Sequence, residues 1–217
     1  MFNLTNFTVP AAPSLPIWLE VSAMMVSALY GSALARSREA PVYGTLLAGV
    51  LYGLSGGMIR DVLLNTKPAA IYDWYYIPAI LAASVIGGLF FSALITKKIP
   101  NLLFNGVAMG ILISIGAQKA LVNEAPIFAA VVCGVATASL GGMAVDALTG
   151  KRAAVMDIGS WFGPALAAGT IGYIFLSVFV NYYVATMAAI VIFTTLRVIS
   201  VTRNWPCPYW KNETPGN

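Results

Sequence analysis

Seven long apolar runs, separated by short connections that hold most of the charge, constrain this chain more than any other feature. A helix needs about 20 apolar residues to cross the hydrocarbon core of a bilayer. Runs of that kind lie at Leu15–Ala35, Val42–Leu64, Trp74–Thr96, Asn101–Lys119, Pro126–Leu148, Ile158–Val178 and Tyr182–Ser200. Apolar residues make up 59% of the 217 and charged ones 9%, against roughly a quarter charged in soluble domains. Such a chain cannot cover a water-facing surface with polar groups, so the pattern predicts an all-α integral membrane protein of seven transmembrane helices. The first 14 residues hold no lysine or arginine, so the first run reads as a retained span and not a cleaved leader.

The net charge is +4, but the basic residues cluster in loops. Arg36 and Arg38, Lys97 and Lys98, and Lys151 and Arg152 follow spans 1, 3 and 5, and Arg197, Arg203 and Lys211 lie at the C-terminal end. The opposite face has Lys67 and Lys119. These are topology signals, not a nucleic-acid surface. They predict a multi-pass protein of the cell membrane with its N-terminus outside and its C-terminus in the cytoplasm. Trp18, Trp74, Trp161 and Trp205 fall near span ends, as interfacial anchors do.

No histidine is present, and the two cysteines, Cys133 and Cys207, are far apart, one in an apolar run and one in the polar tail. No disulfide, metal-ligand cluster or cofactor motif is predicted, and no metal beyond monovalent cations in transit. With no nucleophile motif and no dense polar cluster, the chain does not read as an enzyme.

The sequence also repeats itself at an offset of 85 residues. Gly56–Phe91 aligns without gaps on Gly141–Leu176, so that Gly56, Gly57, Met58 and Asp61 match Gly141, Gly142, Met143 and Asp146. Three spans per copy is an odd number, so the second copy enters from the other side, an inverted repeat. The predicted organisation is an outer tail (1–14), a first three-helix repeat (15–99), a second, inverted repeat (100–179), an unpaired seventh helix (180–203) and a cytoplasmic tail (204–217).

Spans 2 and 5 carry the chemistry. Gly49, Gly53, Gly56, Gly57 and Arg60 fall on one helical stripe, and Gly134, Ala138, Gly141, Gly142 and Val145 occupy the matching places. A stripe without side chains admits either close packing of a neighbouring helix or a water path along exposed backbone. Each glycine weakens a helix by about 1 kcal/mol against alanine, so the paired glycines are predicted as kinks or breaks. Arg60, Asp61 and Asp146 are charges within or near membrane depth. At 1.5 Å per residue Asp61 lies about 28 Å from the start of its span. They are either interfacial caps or charges facing a path, and inversion puts the two aspartates at opposite ends. An Arg60–carboxylate pair across the repeat interface is one arrangement that would hold Arg60 there. Lys119 either snorkels or guards the mouth. Ser114, Gly116 and Gln118 make the last turns of span 4 polar enough to meet water.

At Gly56–Leu64 (Gly-Gly-Met-Ile-Arg-Asp-Val-Leu-Leu) and its echo Gly141–Leu148 (Gly-Gly-Met-Ala-Val-Asp-Ala-Leu), the chain resembles the prokaryotic branch of the trimeric intracellular cation (TRIC) channel family. The resemblance covers all seven spans. It implies a homotrimer in membrane lipid with one pore per protomer, conducting potassium or sodium ions, lined by helices 2 and 5 and broken at the paired glycines. Gly56, Gly57, Gly141 and Gly142 would be pore hinges, with Arg60, Asp61, Asp146 and Lys119 as path or gate charges. Gly49, Gly53, Gly134 and Ala138 would be small residues lining the path. The second motif departs from the pattern, with Val145 where relatives often carry arginine. The alternative reading is a secondary transporter of a small solute such as an amino acid.

Overall fold

The computed structural model describes residues 16–90, 95, 98–158 and 161–208. The tails 1–14 and 209–217, and the predicted end of span 3 at Thr96, lie outside the described residues. The described elements are α1 (Ile17–Ser37), α2 (Val42–Leu63), the short α3 (Ala69–Tyr72), α4 (Tyr76–Leu89), α5 (Lys98–Val122), α6 (Ile127–Leu148), a 3-10 turn (Ala154–Met156), α7 (Phe162–Ser177) and α8 (Tyr182–Thr202). Five of them, α1, α2, α5, α6 and α8, are long and apolar enough to cross a membrane, and α4 and α7 are shorter apolar helices. They fill the seven expected places. Large apolar side chains such as Leu81, Val85, Ile171, Phe175 and Val191 are exposed on the outside of the bundle, as a lipid-facing surface requires.

The third and sixth helices begin later than the hydropathy pattern predicts, at Tyr76 and Phe162 in place of Trp74 and Ile158. Proline explains both starts. Pro78 and Pro164 are each the third residue of their helix, and proline is tolerated only in a first turn, where no intrahelical N–H bond is lost.

The inverted repeat is visible in the backbone. The α1–α2 and α5–α6 connections both read Glu-Ala-Pro, at 39–41 and 124–126, a match beyond the aligned core. Glu39 and Glu124 both take positive φ, 64° and 56°. Ala40 N–H donates to the Ala35 carbonyl and Ala125 N–H to the Ala120 carbonyl. After α2 and α6, Asn65 (φ 53°) and Gly150 (φ 66°) again correspond. The loops at 39–41 and 124–126 lie at opposite ends of the bundle, as inversion demands.

The seventh helix breaks the symmetry. α1 packs tightly on α4, whereas their counterparts α5 and α7 touch less, because α8 packs against both of them. Trp161 N–H donates to Ser200 Oγ at 2.9 Å, and Cys207 N–H to the Ile158 carbonyl at 2.7 Å, fastening α8 to the start of α7. Cys133 and Cys207 are free thiols.

Candidate functional site: two polar compartments flanking a helix crossing

α2 and α6 run as uninterrupted helices through Gly56-Gly57 and Gly141-Gly142. The expected breaks are absent from this structure. Two glycines cost a 22-residue helix about 2 kcal/mol, and here the missing side chains are used for contact. A Cβ on Gly56 would overlap the Thr137 carbonyl of α6, and one on Gly141 would overlap the Tyr52 carbonyl of α2. These two contacts are related by the repeat, since Thr137 corresponds to Tyr52. The first glycine of each pair therefore sets the crossing of α2 on α6.

The second glycine of each pair borders a cavity. On the side where α1 begins, Gly57, Gly53, Thr137 and Arg60 line a void of about 10 Å³, the order of one water. On the opposite side, Gly142, Tyr52, Asn105, Asp146 and Arg197 line a cavity of about 120 Å³, which holds several waters or one small solute. Tyr52, at the crossing, borders both.

Gly49 and Gly134 do not face this axis. Gly49 meets Ser84 of α4 and the Ala28 carbonyl of α1, and Gly134 meets Thr170 of α7 and the Ile113 carbonyl of α5. Their nearest neighbours lie within their own three-helix units. Gly53 approaches the Met24 carbonyl of α1 while bordering the small void, and Ala138 is buried.

Beyond the small void, four charges close the first side. Arg60, fully buried, binds Glu20 Oε1 of α1 with Nη2 at 2.5 Å, and its neighbour Asp61 Oδ1 with Nε at 2.8 Å. Lys119 Nζ of α5 reaches Asp61 Oδ1 at 3.0 Å and Glu20 Oε1 at 3.3 Å. Two acids and two bases thus cancel. Desolvating each charge costs several kcal/mol, and close pairing offsets most of that. Arg60 Nη1 is buried without a protein acceptor among the described residues, and Arg60 lines the small void. The Arg60 pairs lie within the first repeat, so the expected Arg60 bridge across the repeat interface is replaced by one from Lys119.

Asp146 repeats the scheme on the second side with fewer charges. Arg38 Nη2, at the end of α1, binds Asp146 Oδ1 at 2.8 Å, and Arg38 Nη1 donates to Thr149 Oγ1 at 2.6 Å. Both aspartates also cap a turn eight residues downstream. Ala69 N–H donates to Asp61 Oδ2 at 3.3 Å, and Ala154 N–H to Asp146 Oδ2 at 3.0 Å. Each motif aspartate therefore joins its own short connecting turn to a base on the first helix of the other repeat. Cap and path-side charge were alternatives in the sequence; here one carboxylate does the capping and pairs with a base bordering the interface.

Sequence reasoning missed Glu20, Arg38 and Arg197. Glu20 is the lone acid of span 1, which was a usable signal. Arg38 and Arg197 read as loop and terminal topology charges, yet both line the larger cavity. The polar end of α5 does not meet water. Ser114 donates to the Gly110 carbonyl, Tyr173 donates to Gln118 Oε1 at 2.8 Å, and Gly116 faces the Cys133 carbonyl.

Inverted three-helix units, a close glycine crossing and paired charges at both ends define a multi-pass membrane protein with the fold of the TRIC channels. The structure matches that of the TRIC trimeric intracellular cation channel orthologue from Rhodobacter sphaeroides with a TM-score of 0.77, at 24% identity, over 86% of this chain and 97% of that one. A prokaryotic TRIC channel structure in 0.5 M KCl matches with a TM-score of 0.74, at 19% identity, over 87% and 96%. The chain belongs to the family described as "Glycine transporter", whose profile matches it twice, at residues 17–92 and 102–178. The two matches begin 85 residues apart, the repeat offset. Among curated relatives, the UPF0126 inner membrane protein YadS of Escherichia coli (strain K12) is 29% identical over 136 residues, 60% of this chain and 64% of that protein. The matched part thus spans less than two thirds of that relative. The UPF0126 membrane protein YvgT of Bacillus subtilis (strain 168) is 26% identical over 196 residues, 88% of this chain and 94% of that protein.

Proposed function

We propose that the protein is a monovalent cation channel, potassium foremost, with a path inside each protomer between α2 and α6, assembled as a homotrimer in the cell membrane. The N-terminus lies outside and the C-terminus in the cytoplasm, with the repeats spanning 15–99 and 100–179 and the seventh helix 180–203. The protein carries out no enzymatic step. The observation that carries this reading is the glycine crossing with a polar compartment on each side, each ended by a motif aspartate. In the present conformation Lys119 and Arg60 neutralise Glu20 and Asp61 and close the outer side. Opening requires Lys119 to leave the two carboxylates, which then face an entering cation. Gly57 and Gly142 supply freedom of movement beside the crossing.

A second reading, transport of a small zwitterion, draws on the family's description and on the inequality of the compartments. One side is sealed and the other holds a solute-sized cavity, the arrangement that alternating access needs.

Recording from purified protein in planar bilayers separates the two. Unitary potassium currents that grow when Lys119→Met removes the closing charge are the expected result. Glycine uptake into vesicles without unitary conductance would overturn the channel in favour of transport.

A further inference from the structure

Arg197 is a charge that neither repeat accounts for. It stands on α8, the helix without a counterpart, and lines the larger cavity. Its guanidinium carbon lies 5.0 Å from the centroid of the Phe162 ring, which supports it from one side. Nε and Nη1 are buried and meet no acceptor among the described residues. A guanidinium at membrane depth persists where it faces a counter-charge or a polar cavity. The carboxylate lining this cavity is already engaged, since Asp146 gives one oxygen to Arg38 and the other to Ala154 N–H. The lining holds two guanidinium groups and one carboxylate, with the side chains of Tyr52, Asn105 and Ser139 among them, and Asp157, outside the lining, acts on Arg197 through space.

Open N–H donors on a guanidinium held against an aromatic ring are suited to a carboxylate, which matches the planar fork. We propose that this cavity is a binding site for a small carboxylate-bearing solute of about glycine's size, with its carboxylate on Arg197. The volume of about 120 Å³ limits the ligand to a few heavy atoms. The site rests on the second reading above, transport of a small zwitterion, and adds to it the side chain that holds the carboxylate. Glycine serves as the probe because the family's description names it.

The test is saturable binding of radiolabelled glycine to the purified full-length protein in lipid nanodiscs at constant ionic strength. Acetate is expected to compete, methylammonium to compete poorly, and chloride to compete only at far higher concentration. Arg197→Gln is expected to weaken binding by about tenfold or more, the loss expected for charged hydrogen bonds. Arg36→Gln, in the last turn of α1 and outside the cavity lining, leaves binding unchanged. Should Arg197→Gln fail to fold, Arg197→Lys and the cavity-filling Gly142→Val carry the test, and each must weaken glycine. Absence of saturable binding, equal competition by chloride and acetate, or unchanged affinity in the Arg197 variants would each overturn the site. Potassium currents from the same preparations report separately. Currents without glycine binding discard the site and leave the channel, and binding without currents does the reverse.

Discussion

The two ends of the α2–α6 crossing share one backbone plan and differ in charge. At the Glu20 end, two acids and two bases interlock around a void of about 10 Å³. At the Asp146 end, Asp146 pairs with Arg38, and Arg197 shares with them the lining of a cavity of about 120 Å³. The aspartate, its capped turn and the glycine contact recur at both. The difference comes from one position inside the repeated motif, Arg60 against Val145, and from residues outside it: Glu20 and Lys119 on one side, Arg38 and Arg197 on the other. The symmetric frame thus carries a tightly paired charge cluster at one end and a polar cavity at the other.

The comparison can be broken most forcefully at Arg60. Arg60→Met leaves Glu20 and Asp61 sharing Lys119, and loss of one partner from a buried cluster costs about 3–5 kcal/mol. A large fall in thermal midpoint in detergent is expected, and adding Asp61→Asn should recover part of it. Full additivity would mean that the seal is not a coupled network.

Next come Gly56→Leu and Gly141→Leu. Each forces a side chain into a backbone carbonyl of the facing helix, with an expected loss of about 3 kcal/mol by overpacking. The two should be nearly equal. If only one matters in thermal unfolding, the crossing is not symmetric in energy.

Asp146→Asn is expected to cost less than Asp61→Asn, about 1–2 kcal/mol, because Asp146 has one basic partner where Asp61 has two. Lys119→Met should cost less than Arg60→Met, since the Lys119 side chain is 22% exposed and that of Arg60 is fully buried. Its effect belongs to access. In a background with Cys133→Ala and Cys207→Ser, a thiol at Gly57→Cys should react faster with a polar reagent once Lys119 is removed. An unchanged rate would show that Lys119 does not close that end.

Much of this was legible in the residues. The apolar runs marked seven helices, and Gly-Gly-Met-x-x-Asp marked the repeat and the two aspartates. The helix breaks were misread because propensity treats a glycine pair as weakness, while here the bare backbone is covered by the facing helix. Gly49 and Gly134 share a stripe with the crossing glycines, but a stripe wide enough to touch two neighbours does not say which one each residue meets. Arg38 and Arg197 sat where topology charges sit, and only the folding of α1 and α8 over the second repeat brings Arg38 to Asp146 and Arg197 to the same cavity.

The inverted loops carry a last consequence. Glu39-Ala40-Pro41 and Glu124-Ala125-Pro126 are the same turn facing opposite ways. A three-helix unit that works in either direction holds no insertion address in its fold. What differs between the copies is a few neighbouring cations. Arg36 and Arg38 correspond to Leu121 and Asn123, and Lys151 corresponds to Thr66. Exchanging Arg36 with Leu121 and Lys151 with Thr66 would ask the translocation machinery to thread the whole bundle upside down, with the Arg38–Asp146 pair left in place.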